Sequence, residues 1–181
     1  MWRPFHPSLV TGGFRPYRDY SGGGMTDWGA HRFGAAMFAI GVHKTGPVEV
    51  LNPHDSDVDK LTFVFANGLK MCHGGSRNIT YVGTDGELPG SDKQPSGDVD
   101  IEGYKGRGLL GDFVESVKTR SRAFRDIEIA HRACTVCHLG NISYWLKRSF
   151  KWDPEKEEIV GDPAANRWLD RPRRGEWSLD V

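Results

Sequence analysis

An Asn67-Gly68 pair separates two short apolar runs, residues 61–65 and 69–72. Asn-Gly between alternating strands is among the strongest short-range signals for a β-hairpin, because both residues tolerate positive φ. The pair therefore predicts a two-residue turn with antiparallel strands on either side. A further strand is predicted over residues 47–51 and another over 79–82, the latter ended by Gly83-Thr84-Asp85-Gly86. Residues 89–108 are rich in Gly, Ser, Asp and Pro and read as a long loop.

Helical patterns stand on both sides of this strand region. Gly22-Gly23-Gly24 opens the first, where Met25, Trp28, Gly29, Ala36, Met37 and Ile40 recur near i, i+3/i+4 spacing and Gly41 fits a stop. Asp27 would lie in its first turn, where the helix dipole favours a carboxylate. The second pattern covers residues 111–118 and the third covers 126–147. In the third, Ile127, Ala130, Ala133, Cys134, Cys137, Asn141, Trp145 and Leu146 trace one face. A helix, a strand meander and two more helices predict an α+β fold, an open and mostly antiparallel sheet with helices packed on one face. The other face would be left as a partner surface. The expected organisation is an irregular arm over 1–20, an α+β domain over 21–150, and a tail over 151–181 packing on that domain.

Charge narrows the function. Lys+Arg and Asp+Glu both number 24, so there is no basic excess to displace phosphate counterions, and nucleic acid is not the expected partner. Arg171, Arg173 and Arg174 sit beside acidic residues as a solvated end. No run of 18 apolar residues predicts a membrane span. The first residues lack the apolar stretch of a signal peptide, which leaves cytoplasm and periplasm both open.

Two strings invite chemistry. Asp27 and His31 stand at i and i+4, which on one helix puts both side chains on the same face. A carboxylate beside an imidazole suits a proton acceptor working near neutral pH, though such a pair is more often structural. No third ligand at a suitable spacing completes a metal site there. Cys134-Thr135-Val136-Cys137-His138 matches C-x-x-C-H, a haem attachment pattern. Against haem, both cysteines fall on the apolar face of a long helical pattern, where free Cys packs as a small hydrophobe. His73, beside paired glycines at a strand end, is a candidate substrate contact, and a turn is its commoner role. Arg15, Arg18 and Tyr20 precede the glycine triplet and are within reach of the same pocket, with surface packing the default role of each. No G-x-G-x-x-G followed by a helix occurs, so the chain builds no dinucleotide site of its own.

Gly22-Gly23-Gly24-Met25-Thr26-Asp27-Trp28-Gly29-Ala30-His31 resembles the Gly-Gly-x-x-x-Asp-x-Gly-x-His motif that opens the C-terminal domain of Gfo/Idh/MocA oxidoreductases. Asp112-Phe113-Val114-Glu115-Ser116-Val117-Lys118, Ile129-Ala130-His131-Arg132 and His138-Leu139-Gly140-Asn141-Ile142 are similar to later family strings. Lys151-Trp152-Asp153-Pro154-Glu155 and residues 162–166 resemble a bacterial subgroup. The resemblance implies the substrate-binding and dimerisation half of an enzyme that transfers hydride between NAD or NADP and a sugar, cyclitol or related polyol. It implies His31 as general acid/base and Asp27 as its partner or a substrate ligand; His73, Tyr20 and Arg18 are further substrate-contact candidates from their positions alone. It also implies a homo-oligomer formed through the open sheet face, and a Rossmann domain, lying outside this chain or supplied in trans, that carries the cofactor and a lysine. No cofactor is expected to bind this chain alone, and no turnover without that half. The alternative is a non-catalytic oligomerisation or sugar-binding module. The family often has Asp three residues after the motif His; here that position is Gly34.

Overall fold

The computed structural model describes residues 4–10, 13–74, 79–89 and 108–171. Most of the expected 89–108 loop, Gly75 and the Pro/Arg-rich end lie outside these residues. The arm is irregular, with a 3-10 turn at Pro7–Leu9. The ordered elements are α1 (Gly23–Thr26), α2 (Trp28–Ala39), β1 (Glu49–Leu51), β2 (Thr62–Val64), β3 (Lys70–Cys72), β4 (Thr80–Gly83) and β5 (Gly86–Pro89). They continue with α3 (Gly108–Thr119), α4 (Ile127–Leu146), β6 (Phe150–Asp153), β7 (Glu158–Ile159) and α5 (Pro163–Asn166).

Five strands make one sheet in the order β3-β2-β1-β6-β7, every neighbouring pair antiparallel. Register places Met71, Phe63, Val50 and Phe150 in one row across four strands, so their side chains share a face. All four are buried, and Leu61, Phe65, Trp152 and Ile159 extend the same apolar surface. Helices cover it: Phe33 of α2 meets Phe63 edge-on at 5.5 Å, and Gly140 of α4 lies against Phe63 and Leu61. The other face carries Glu49, Val64, Lys70, Cys72 and Lys151, and among the described residues no helix covers it. The expected α+β open sheet is therefore found.

Several boundaries differ from the sequence reading. The first hairpin closes through Ala66-Asn67-Gly68 rather than two residues, because the Phe65 amide donates to the Leu69 carbonyl and Gly68 takes φ 85°. Gly83-Thr84-Asp85-Gly86 ends β4 as expected and turns the chain into a further strand, β5, that the sequence reading did not include. The boundary drawn at 150/151 cuts β6, which lies beside β1 inside the sheet. Residues counted as tail thus supply two of its five strands.

α4 is the post around which the rest is arranged. Asp126 caps its start by accepting from the Ile129 amide at 3.1 Å, and Lys147 ends it in the left-handed region. Its middle is buried on more than one side, including Val136, Cys137, Leu139, Gly140 and Ile142, because α2 packs on one flank and the sheet on another. Cys134, Ala130 and Ile127, assigned to the apolar face by periodicity, are exposed. At its far end Asn52 donates to both the Ser143 carbonyl, 2.9 Å, and hydroxyl, 3.0 Å, which ties β1 to α4.

α3 is turned the other way. Asp112, Glu115 and Ser116 face the body, while Leu109, Leu110, Phe113, Val114 and Val117 are exposed. The Asp112 carboxylate accepts from the Phe124 amide at 2.8 Å and fixes this orientation.

Candidate active site

The glycine triplet does not run straight into one helix. Gly23, at φ 68°, starts the four-residue α1, and Asp27 breaks the chain with φ −83° and ψ −89° before α2 begins. Gly22 has no room for a side chain, since the Thr26 side chain lies 2.3–2.9 Å from where a Cβ would sit. The Gly22 carbonyl accepts from Asn141 Nδ2 at 2.8 Å, pinning the whole turn to α4. Asn141 sat on the predicted inner face of its helix, and a polar residue there was the available signal for this tie.

The break corrects the geometry expected of the candidate pair. Asp27 and His31 are not two turns of one continuous helix, and among the described residues no hydrogen bond joins them. Asp27 pairs instead with Arg15, at 3.1 Å between Oδ2 and Nε. His31 is exposed in the first turn of α2, with its ring 5.9 Å from that of Trp28. Gly34, where the family often carries Asp, is buried at the α2–α4 contact with its Cβ position 3.5 Å from Ala133. A side chain there would point into the helix contact, where a carboxylate would be buried against Ala133.

The remaining candidates divide. His73 is half-buried at the end of β3, stacked near Phe33, with Nδ1 and the Tyr144 hydroxyl 2.7 Å apart. Burial lowers the His73 pKa and raises that of Tyr144, so both are neutral near pH 7. Arg18 lies over both Trp145 and Trp168, 4.2 and 4.0 Å from the ring centroids, which fastens the arm to α4 and to the segment after α5. Tyr20 is exposed on the arm. The structure thus gathers the glycine turn, Arg18 and His73 on one third of α4, through Asn141, Trp145 and Tyr144. It leaves Asp27 and His31 on the outer surface of α2. Tyr144 was missed because nothing local marks it; its partner is 71 residues away.

Since the folded His73 pKa lies below its ordinary value of 6.5, the unfolded chain takes up the proton first. Its contribution to stability is complete above that value and is lost as pH falls from there through the folded pKa. The melting temperature is expected to drop between neutral pH and pH 5, and His73→Gln to drop less over that interval. Equal slopes in the two proteins would refute this assignment.

Cys137 is fully buried, its Sγ donating to the Ala133 carbonyl at 3.2 Å, and burial, helped by Cys134, pushes its thiol up to about 12. A thiol held in that state is a poor nucleophile. Thiol titration of the folded chain is expected to modify Cys72 and Cys134, both exposed, and to reach Cys137 only in denaturant. Modification of all three without denaturant would contradict the packing.

Two hollows of about 500 and 410 Å³ lie elsewhere, one between α3 and the start of α4, the other lined by Asn52, Pro53, His54, Tyr144 and Lys147. Neither is lined by Asp27 or His31. Among the described residues no three His, Cys, Asp or Glu side chains form a metal site, and no described helix is long and apolar enough to cross a membrane. The glycine turn does not suit a dinucleotide: no strand leads into it, and the helix it opens has four residues.

Against known proteins, one finding decides the family. The sequence model described as "Oxidoreductase family, C-terminal alpha/beta domain" of the Gfo/Idh/MocA group matches residues 1–179. The chain belongs to the Gfo/Idh/MocA oxidoreductase family. No curated protein and no solved structure matches it. Within the family the match is to the C-terminal domain, in agreement with the open antiparallel sheet and its covering helices.

Proposed function

We propose that this chain is the substrate half of an NAD(P)-dependent oxidoreductase acting on a sugar, cyclitol or related polyol. The observation that carries the reading is the placement of Asp27 and His31. His31 is exposed in the first turn of α2 and the half-buried Asp27 stands just before it, on a segment that begins at Gly22, whose carbonyl accepts from Asn141 of α4. A rigid turn presenting an imidazole and a carboxylate to open surface is half of an active site, one whose opposite wall comes from elsewhere. His31 accepts the proton of a substrate hydroxyl, or returns it in the reverse direction. Asp27, held by Arg15, is placed to receive a neighbouring hydroxyl rather than to orient the imidazole. Nicotinamide, when bound to the complementary nucleotide-binding half, supplies the redox chemistry. Copies of the chain pair through the sheet face that has no helix over it.

The alternative, a sugar-binding or assembly module without catalysis, is favoured by one detail: no described residue orients the His31 ring through a hydrogen bond. The two readings separate in a polyol-dependent assay of nicotinamide reduction, run with the chain alone and with a family nucleotide-binding domain added in trans. Turnover only in the mixture is the expected result. Robust turnover by the chain alone would sink the half-enzyme reading, and none in any combination would leave the binding module.

A further inference from the structure

Trp28 is the first residue of α2 and is 67% exposed. An indole is among the largest apolar surfaces a residue carries, and its flat face is open here to a ligand held beside the neighbouring polar groups. The aromatic neighbour of this ring is His31, 5.9 Å between centroids with the planes 52° apart. Immediately before it stands the Asp27–Arg15 ion pair. Gly24 leaves open space where its Cβ would be, so the surface of the turn is unobstructed there. The first turn of α2 therefore offers a flat apolar plate and an imidazole, with the Asp27 carboxylate just before it and the Arg15 guanidinium brought beside that carboxylate from the arm.

That combination complements a ring with one face of C–H groups and hydroxyls around its edge. Pyranoses and cyclitols have this shape in water, whereas an open-chain polyol has the same hydroxyls and no fixed apolar face. We propose that Trp28 is the stacking platform that holds the C–H face of a cyclic polyol beside His31. The inference rests on reading Asp27 and His31 as a substrate site, and it adds the residue that selects rings over chains.

The test is ligand-observed saturation-transfer NMR on the purified chain. The probes are myo-inositol, methyl β-D-glucopyranoside and, as the open-chain comparator, sorbitol. Transfer is expected to the ring C–H protons of the two cyclic probes, with sorbitol much weaker. Trp28→Ala is expected to weaken cyclic-probe binding at least tenfold and Trp28→Phe to retain part of it, with circular dichroism showing both variants folded. Cyclic probes binding equally to Trp28→Ala, or sorbitol matching them on the wild-type chain, would overturn the platform and leave the substrate site standing. No transfer to any probe from the wild-type chain would overturn both.

Discussion

Gly140→Leu is expected to cost the chain about 3 kcal/mol or more of stability, at the upper end for overpacking, and to leave little folded protein at 37 °C. Gly140 stands where α4 crosses α1 and the sheet. A Cβ there would come within 3.0 Å of Met25 Cε, 3.1 Å of Phe63 Cζ and 3.3 Å of Leu61 Cδ2. Phe63 and Leu61 are fully buried, so neither has space to retreat into. Alanine is a different case. It gains about 1 kcal/mol in helix propensity over glycine, and the tightest contact is the tip of a flexible methionine, so Gly140→Ala is expected within about 1 kcal/mol of the parent. Urea unfolding of the three proteins measures both. A Leu variant as stable as the parent would mean that α4 does not approach the sheet this closely. The effect reaches function as well, because displacing Met25 displaces α1 and with it the turn that carries Asp27.

His31→Ala is expected to lower kcat/KM by about 10²–10⁴-fold in an assay completed by a nucleotide-binding half, the range for loss of a general acid/base. Its folding stability is expected to stay within about 0.5 kcal/mol of the parent, as for other exposed positions. The separation is what makes the variant informative. His31 is exposed, while α2 is fixed by Phe33 against Phe63 and by Gly34 against Ala133, none of which the substitution touches. Steady-state kinetics beside a thermal melt distinguishes the outcomes. Unchanged kcat/KM would remove His31 from the chemistry, and a lowered melting temperature with proportionate loss would make it a structural residue.

Where sequence period and packing agree, the chain is easy to read. Val50, Phe63 and Met71 stand within short, mostly apolar runs that read as strands, and all three are buried on the face the helices cover. Two helical stretches, 111–118 and 126–147, fall within two residues of α3 and α4 except for an earlier start of α3. The misses have physical causes. The Phe150-Lys151-Trp152-Asp153 strand alternates correctly, but what makes it a strand is pairing with β1 about a hundred residues earlier, and no local window contains that partner. Periodicity gave α4 one apolar face, whereas a helix sandwiched between α2 and the sheet is buried over more of its circumference. At the site, the i,i+4 spacing of Asp27 and His31 suggested a hydrogen-bonded pair. The backbone break at Asp27 undoes that, and no i,i+4 pattern encodes such a break.

α3 has a practical consequence beyond the active site. Its water-facing side shows Leu109 at 61%, Leu110 at 78% and Phe113 at 61% exposure, with Ile127 of α4 at 84%. A stripe of that kind is sticky in the colloidal sense. Concentrating the chain is expected to bring such stripes together, so that apparent mass, melting temperature and solubility would vary with concentration. Salts that strengthen apolar association sharpen this dependence. For this protein, dilution is therefore itself an experimental variable.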